Sequence, residues 1–356
     1  MTMELTVIVP ILNEVDQLPR LMQTLTAQRG VEFELILVDG GSNDGTVDMI
    51  VSLRQEVPFP IQLISSERGR GLQLNAGAEK ARGDTLLFLH ADSLFPDQLA
   101  LRQALECLAQ AITTAGHDRI AGHFRLRFDH RSSDHDFGYY FWEGKARLDR
   151  PECTHGDQGF LLRKRFFNQA GHFREDLPIA EDTEFAERIR ATGRWLMLSG
   201  LIMTSARRFE QEGLVERQIL NALLMNFKAI DWSDFFNAAR NVYQPHTAVG
   251  RLDLGQYLDL IDRLNREDGW VHALRRWYRT GYYVRSNAWQ LAYLKDVKKG
   301  FKRNIAVDDI PLDALSCHDR WFDRLTDNPP GRFIAMVGTW LWFRKTKRTY
   351  CVQHKR

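Results

Sequence analysis

Leu86-Leu87-Phe88-Leu89-His90-Ala91-Asp92 is the stretch of the chain that decides its fold. Four consecutive apolar residues predict a strand that is buried on both faces, as in a parallel sheet covered by helices. The strand runs into His90 and Asp92, so it carries an acid to the carboxyl edge of the sheet, where open α/β sheets bind their ligands. A carboxylate at that edge can bind a divalent cation, which in turn can neutralise a diphosphate. The same Asp92 also suits a cap for a following helix.

Two strands near the start of the chain precede this one, and with the helix between them they predict a βαβ unit. Residues 6–10 form a β-branched run that ends at Pro10, and residues 33–38 form an apolar run that leads into Asp39. The glycine-rich turn at residues 40–45 lets backbone approach a ligand closely, and the Asp39 carboxylate can accept hydrogen bonds from a base or a ribose. A tight turn followed by a helix cap explains the same residues without a ligand.

Two arginines stand where a third predicted strand, residues 61–65, gives way to a helix. Arg68 and Arg70 lie at the start of the helical segment 70–78. The planar guanidinium suits phosphate, and the N-terminus of a helix adds backbone N–H donors. A solvated basic loop is the alternative interpretation.

An acidic pair, Glu181-Asp182, opens a helix further along the chain. Phe185 and Ile189 follow with a spacing of four, which marks the buried stripe of that helix. Acids in a first turn ordinarily offset the helix dipole, so the pair alone does not indicate catalysis. A polar turn at residues 155–159 enters an apolar strand and fits the edge of a site. After the helix, we expect a strand at residues 195–198 and a loop at residues 203–209.

Together these stretches resemble the nucleotide-binding half of a family 2 glycosyltransferase of the GT-A fold. The segments that carry the resemblance are residues 9–14, 38–46 and 70–78 and the strand that closes at Asp92. A bacterial branch of the family, associated with radical-SAM and selenoprotein-type gene neighbourhoods, shows stretches similar to Arg-Gly-Arg at 68–70, Leu-His-Ala-Asp at 89–92, Gly-Asp-Gln-Gly at 156–159 and Ser-Ala-Arg-Arg at 205–208. The resemblance covers about residues 4–210.

The resemblance implies a Rossmann-like, mixed but mainly parallel sheet flanked by helices, with a mostly α-helical C-terminal extension. Asp182 matches the catalytic base, with Glu181 beside it, and Asp92 matches the ligand of a divalent metal, Mn²⁺ or Mg²⁺. His90 stands where the family usually has the first acid of an Asp-x-Asp motif, and imidazole suits a softer transition ion better than Mg²⁺. The residues implied to contact the nucleotide sugar are Pro10, Asn13, Glu14, Asp39, Gly41, Arg68, Arg70, Asn75, His90, Ala91, Asp157, Arg207 and Arg208.

The activity that the resemblance implies is transfer of a sugar, with inversion, from a UDP- or GDP-sugar to a hydroxyl acceptor, and a lipid-linked acceptor is one option. A sugar-phosphate nucleotidyltransferase is the first alternative, because it uses a related sheet and a metal, but its chemistry needs no base at Asp182. A non-catalytic module that binds nucleotide sugars or a membrane is the second alternative, and His90 keeps it open. The sequence contains no nucleic-acid-binding motif.

Charge is distributed unevenly along the 356 residues. Residues 251–356 hold 21 Lys and Arg against 12 Asp and Glu, although the whole chain has a net charge of only +2. An uneven distribution of this kind suggests different partners for the two parts. We therefore predict a glycosyltransferase domain at residues 1–245, with a nucleotide-sugar half at 1–115 and an acceptor half at 116–245, and a basic helical extension at 246–356.

The end of the extension combines tryptophan with positive charge. Trp340 and Trp342 lie directly before four cations, Arg344, Lys345, Lys347 and Arg348. This composition favours a helix at an anionic membrane surface, and a packed terminal helix with a solvated end is the alternative. No apolar run approaches the roughly 20 residues needed to span a bilayer, and the cysteines lack metal-type spacing. We expect a cytoplasmic protein with reduced cysteines and peripheral contact at the inner face of the membrane.

Overall fold

The structure, a computed structural model, describes residues 3–130, 136–177, 179–239 and 250–350, together with the backbone of residues 351 and 352. The chain divides into two compact units. The first unit comprises residues 1–131 and 142–205, and the second unit comprises residues 132–141 and 206–356. The predicted limit of the glycosyltransferase domain at residue 245 lies outside the described residues and stays a prediction.

Seven strands form one mixed sheet in the first unit. Their bounds are β1 (Leu5–Ile11), β2 (Phe33–Asp39), β3 (Ile61–Ser65), β4 (Thr85–Phe88), β5 (Ile120–Asp129), β6 (Phe160–Arg163) and β7 (Arg194–Ser205). Their spatial order is β3-β2-β1-β4-β6-β5-β7. The first four strands are mutually parallel, β6 is antiparallel to both of its neighbours, and β7 is parallel to β5.

The described residues form sixteen α-helices, of which α5 crosses from the second unit into the first. Up to that point the helices are α1 (Leu18–Thr26), α2 (Thr46–Leu53), α3 (Arg70–Lys80), α4 (Ala100–Ala115) and α5 (Asp136–Lys145). The first unit also contains α6 (Lys164–Ala170) and α7 (Glu181–Thr192). The second unit contains α8 (Arg207–Glu212), α9 (Leu214–Ala229), α10 (Ser233–Ala239), α11 (Leu254–Glu267), α12 (Gly269–Ser286), α13 (Trp289–Lys302), α14 (Asp313–Cys317), α15 (Asp323–Thr326) and α16 (Pro329–Val352).

A mixed, mainly parallel sheet with flanking helices, followed by a helical region, confirms the predicted GT-A-type α/β class. Every residue of β2 and all but one of β1 are buried, because helices cover both faces of these strands, and this explains their unbroken apolar runs. The stripe predicted for α7 is also buried, since Phe185 and Ile189 lie in the same core cluster as Phe88 and Phe160.

The carboxyl ends of the central strands are fixed to α3 by one buried amide. Gln73 Nε2 donates hydrogen bonds to the backbone carbonyls of Ile11 (2.9 Å) and Val38 (2.7 Å), the end regions of β1 and β2. Since the orphan carbonyls at a strand end need partners when they are buried, this contact both satisfies them and sets the position of α3. The helix that begins at Arg70 is therefore held against the edge of the sheet.

One segment folds differently from its prediction. We expected a strand at residues 195–198 and a loop at residues 203–209, but β7 continues to Ser205 and α8 begins at Arg207. Pairing with β5 runs from Ile120↔Arg194 to Asp129↔Ser205 and supplies hydrogen-bond partners along the strand. The loop prediction was wrong because this pairing is long-range, and such pairing overrides the weak local preference of a polar segment.

Aromatic side chains build the core of the second unit. Phe227, Trp232 and Phe235 pack with Phe343 of α16 in one buried cluster. At Gly281 a Cβ atom would lie only 2.6 Å from the carbonyl oxygen of Arg332, so glycine permits α12 and α16 to approach closely. In the described part of the chain, no helix has the length and apolar character required to cross a membrane.

Candidate functional site

Asp39 stands at the carboxyl end of β2, where its carboxylate organises the following turn. It accepts hydrogen bonds from the N–H groups of Gly41 (3.2 Å) and Ser42 (3.1 Å) and from Ser42 Oγ (2.6 Å). Asn13 binds the same turn, since its N–H donates to Ser42 Oγ (2.9 Å) and its Oδ1 accepts from the N–H of Asn43 (2.9 Å). Hydrogen bonds thus hold the loops that follow β1 and β2 together. The role of Asp39 toward a nucleotide base stays a prediction.

Arg70 links the start of α3 to the start of α7. Its Nη1 lies 3.0 Å from Glu181 Oε1, and the arginine side chain is about half exposed (47%), whereas that of Glu181 is almost completely buried (3%). Burial raises the pKa of Glu181, and the charge of Arg70 opposes that shift. One part of the guanidinium is therefore anchored inside the protein, while another part remains accessible to a ligand.

Two other residues of the same helix region have different positions. Asn75 ties α3 to a loop of the first unit, because its Nδ2 donates to the Phe173 carbonyl (2.8 Å) and its Oδ1 accepts from the Phe173 N–H (3.0 Å). Arg68 lies before the helix and is exposed. Both were predicted to contact the nucleotide sugar, and the observed contacts of Asn75 give it a structural role in addition.

Asp182 reaches from the first turn of α7 to the 3₁₀ turn at residues 156–158. Its Oδ2 accepts a hydrogen bond from the Gly156 N–H (2.7 Å). A Cβ atom at position 156 would lie 3.0 Å from that Oδ2 and 2.9 Å from His90 Nε2, so only glycine leaves these two side chains side by side. His155 Nδ1 lies 3.0 Å from Thr183 Oγ1 and joins the same two segments a second time.

The protonation states of two neighbouring carboxyl groups diverge at this edge. Burial by itself would raise the pKa of Asp182, but the charges of His155 and Arg70 and the Gly156 hydrogen bond lower the pKa to about 2. Burial, together with the charges of Asp182 and Asp92, raises the pKa of Asp157 to about 7. Opposite shifts in adjacent acids are typical of functional sites, where one group is held ionised and the other is close to its midpoint at neutral pH.

His90 and Asp92 complete this group at the end of the central strand. Within the described part of the chain, Asp92 Oδ2 has two long contacts, with the Ser205 N–H (3.3 Å) and Thr204 Oγ1 (3.4 Å) at the end of β7. Burial lowers the pKa of His90, and the charge of Arg70 adds to that shift. A neutral imidazole and a loosely held carboxylate are groups that can still take a ligand.

The chemistry of these side chains fits a divalent cation bound with a diphosphate. Asp157 Oδ1 is buried and accepts no hydrogen bond from any described residue, so it has an unmet need for a positive partner. No cluster of three or more His, Cys, Asp or Glu side chains within the described ranges has a metal-binding arrangement. Hard cations such as Mg²⁺ commonly use one or two carboxylates plus phosphate oxygens and water, so Asp92 and Asp157 suffice as protein ligands.

The described structure therefore gathers seven side chains at one edge of the first unit, namely Arg70, His90, Asp92, His155, Asp157, Glu181 and Asp182. His155 was absent from the predicted contacts, although it directly precedes the Gly-Asp-Gln-Gly stretch. Gln158 was also missed, and its Oε1 closes the turn by accepting from the His155 N–H (2.7 Å). Polar residues that hold a turn have the same sequence signature as residues that hold a ligand, so the sequence could not separate them.

The remaining predicted residues lie close to strand ends or in the second unit. Pro10 is part of β1, and Ala91 is buried after β4. The N–H of Glu14 donates to Thr46 Oγ1 (2.9 Å), which ties the loop after β1 to α2. Arg207 and Arg208 form the first turn of α8 in the second unit, so their role at a diphosphate stays a prediction.

Comparison with protein families bears on the first unit. Residues 6–171 match the model of the family described as Glycosyl transferase family 2. This match is to less than half of the chain, and over that range it supports the resemblance to family 2 glycosyltransferases. The narrower resemblance to a bacterial branch with particular gene neighbourhoods stays a prediction.

Curated relatives match over shorter segments. An uncharacterized glycosyltransferase of Haemophilus influenzae is 37% identical over 93 residues, which are 26% of this chain and 30% of that protein. An undecaprenyl-phosphate 4-deoxy-4-formamido-L-arabinose transferase of Pseudomonas syringae is 31% identical over 98 residues, which are 26% of this chain and 29% of that protein. The chain thus spans less than a third of the length of these relatives.

Two solved structures show partial similarity to the chain. The mannosyltransferase PcManGT from Pyrobaculum calidifontis, in complex with GDP-Man and Mn²⁺, aligns with a TM-score of 0.48 and 18% identity, over 95% of this chain and 87% of that one. TarS (residues 1–349) of S. aureus in complex with UDP aligns with a TM-score of 0.46 and 17% identity, over 85% of this chain and 92% of that one.

Proposed function

We propose that this protein is an inverting, metal-assisted glycosyltransferase that uses a nucleotide sugar as donor and Asp182 as its base. The observation that carries the proposal is the convergence of Asp182 with Gly156, His90 and Arg70 at the carboxyl edge of the sheet. The family 2 match of residues 6–171 supports the same chemistry independently. Asp39, the last residue of β2, is the proposed contact for the nucleotide base.

In this mechanism Asp182 takes the proton of the acceptor hydroxyl while that oxygen attacks the anomeric carbon. The bond from the anomeric carbon to the diphosphate breaks on the opposite face, so the configuration inverts. With a pKa of about 2, Asp182 is ionised at neutral pH but has little driving force to take a proton. Proton transfer therefore accompanies bond cleavage, when the attacking oxygen has become more acidic.

The leaving diphosphate is proposed to be held by the other charged groups of this site. Asp92 and Asp157 would hold the divalent cation, which when bound offsets the negative charge that develops on the diphosphate. The accessible part of the Arg70 guanidinium can donate to phosphate oxygens while Glu181 holds its other side. The role of Arg207 and Arg208, which belong to the second unit, stays an expectation from the resemblance and forms no part of this mechanism. One matched relative is named as an undecaprenyl-phosphate sugar transferase, which makes a lipid-linked hydroxyl or phosphate the first acceptor class to test.

The test is a turnover assay on the full chain with a panel of UDP- and GDP-sugars, with Mn²⁺, Mg²⁺ or a chelator. Transfer to water allows release of nucleoside diphosphate to be measured before the acceptor is known. We expect nucleoside diphosphate to be released from one donor in the presence of metal. Release of pyrophosphate from a nucleoside triphosphate and a sugar phosphate would instead identify a nucleotidyltransferase. Donor binding without any turnover, with lipid-linked and simple acceptors alike, would identify a non-catalytic module.

A further inference from the structure

The outward face of the second unit is rich in apolar side chains. Most of the large apolar residues that are exposed in the described structure belong to this unit, and only Val47, Val51, Leu99 and Met197 belong to the first. The exposed set includes Trp270 (79%) on α12 and Ile334 (70%) on α16. Large exposed apolar surfaces of this kind mark sites of protein or membrane interaction.

Two helices that pack against each other, α12 and α16, carry about half of these exposed residues. α12 and α16 pack closely at Gly281, and the rings of Trp277 and Phe343 lie 5.3 Å apart further along the pair. On α16 the exposed stripe repeats at three- and four-residue intervals through Ile334, Val337, Gly338, Leu341, Lys345 and Arg348. On α12 the corresponding stripe passes through Val271, Leu274, Arg275, Tyr278 and Tyr282. Each helix therefore buries one face and leaves a second, partly apolar face in solvent.

On both helices, among the described residues, the cations that point into the protein form ion pairs, and those that point into solvent do not. Neither α12 nor α16 contains an Asp or a Glu, and together they contain nine Lys and Arg. The four inward or half-buried cations pair with acids of neighbouring segments, namely Arg276 with Asp268, Arg285 with Asp323, Arg332 with Asp327 and Lys347 with Asp262. The five exposed cations, Arg275, Arg279, Arg344, Lys345 and Arg348, have no carboxylate partner among the described residues.

We propose that the outward face of α12 and α16 docks on an anionic lipid bilayer. The exposed aliphatic side chains Ile334 and Leu341 suit the acyl boundary, the rings of Trp340 and Tyr278 suit the headgroup level, and the unpaired cations suit lipid phosphates. This face extends the predicted membrane contact from the terminal segment to a two-helix surface. It stands independently of glycosyl transfer, since it lies wholly in the second unit.

Two other occupants fit the face less well. A second copy of the chain that used the same face would bring cations against cations, because neither helix has an acid to oppose them. Nucleic acid would match the charge, but aliphatic side chains such as Ile334, Val337 and Leu341 offer no stacking plane for bases. Of these three occupants, the anionic bilayer is the one that complements both the charge and the aliphatic side chains.

The test is co-sedimentation of the full chain with large unilamellar vesicles, without nucleotide sugar. We expect binding to vesicles of phosphatidylcholine with 30% phosphatidylglycerol, no binding to pure phosphatidylcholine, and weaker binding at higher salt. Each cation near an anionic surface contributes about fivefold to partitioning, so Lys345→Glu with Arg348→Glu should lower binding by at least about 25-fold. Ile334→Ser with Leu341→Ser should weaken it as well.

The matched control is Arg54→Glu with Lys80→Glu, which changes net charge by the same amount on exposed positions of the first unit. We expect this variant to bind vesicles nearly as well as the wild type, and circular dichroism checks that all variants fold. The proposal is overturned if the wild type ignores anionic vesicles at low salt, if both double charge reversals weaken binding equally, or if the chain binds single-stranded oligonucleotides but not vesicles. Because donor turnover plays no part in the readout, failure here leaves the proposed glycosyl transfer unaffected.

Discussion

The first unit draws charged side chains inward to one edge of its sheet, whereas the second unit directs cations outward from a pair of helices. At the sheet edge, Asp182 and Glu181 are held by donors at 2.7 and 3.0 Å and are mostly shielded from water. On α12 and α16, the cations that point inward are paired and those that point outward are not. Buried charges of opposite sign fix the protonation states of their neighbours, which favours catalysis. Exposed charges of one sign act over a longer distance, which favours binding to a charged surface. The comparison predicts that substitutions in one unit change catalysis or binding of nucleotide, and that substitutions in the other change stability or attachment.

The largest effect is expected for Asp182→Asn in the first unit. Asparagine keeps the size of the side chain and can still accept the Gly156 hydrogen bond, but it cannot take a proton. We expect glycosyl transfer to fall by about 100-fold or more, while donor affinity and vesicle binding stay near wild type. Turnover assays and isothermal titration of the donor measure the two quantities, and Asp48→Asn on the exposed surface of α2 is the control. Normal turnover in the variant would assign the base to another residue.

A smaller effect in the same unit is expected for Asp92→Ala. Among the described residues Asp92 makes long contacts only, so its removal should disturb the fold little. Affinity for UDP or GDP in the presence of Mn²⁺ should drop by roughly tenfold to a hundredfold, and affinity in a chelator should not change. Titration calorimetry with and without metal separates these cases. Equal affinity of the variant and the wild type under both conditions would exclude Asp92 as the metal ligand.

The sequence predicted the first unit better than the second for a physical reason. Buried parallel strands have unbroken apolar runs, so residues 6–10, 33–38 and 61–65 were placed within one or two residues of the observed bounds. Asp39 and Asp92 follow from the strands that precede them, whereas Asp182 opens a helix and was singled out only through the resemblance. The pairing of β7 with β5 depends on contacts about 75 residues apart, and no local pattern reports it.

The contacts between residues of the candidate site were harder to predict than the residues themselves. Arg70 was expected to face phosphate, and the structure adds its ion pair with Glu181, a residue 111 positions away. The unpaired oxygen of Asp157 and its raised pKa depend on Asp182 and Asp92, which reach it from other segments. In the second unit, whether a cation of α12 or α16 is ion-paired or exposed depends on which face of the helix packs inward. Composition alone does not determine that face.

A pair of glycines tests the packing of the second unit. A methyl group at position 281 would lie 2.6 Å from the Arg332 carbonyl oxygen and 2.7 Å from Met336, whereas position 338 faces open space. We expect Gly281→Ala to reduce the free energy of unfolding by about 1–3 kcal/mol through overpacking, and Gly338→Ala to raise it by about 0.5–1 kcal/mol through helix propensity. Urea unfolding measures both changes. If both substitutions stabilise the chain, the close approach of α12 and α16 is not the arrangement in solution.

The smallest effect concerns the pH dependence of stability in the first unit. Burial, together with the charges of Asp182 and Asp92, raises the pKa of Asp157 to about 7, whereas the unfolded chain releases the same proton near pH 4. Between these values the folded protein binds one more proton than the unfolded chain, so this group favours folding most at the acid end of the window and progressively less as pH rises toward 7. Asparagine does not titrate and resembles the protonated acid. We therefore expect Asp157→Asn to match the wild type near pH 4.5 and to unfold at a higher temperature than the wild type at pH 8. Both measurements are made in a chelator, with Asp48→Asn as the control.

The exposed cations of the second unit lack such a buried partner, so charge reversal at Lys345 and Arg348 should not change the slope of stability against pH between pH 4.5 and pH 8. Parallel stability curves for Asp157→Asn and the wild type would mean that Asp157 is ionised throughout and that the sheet edge is better solvated than its geometry indicates.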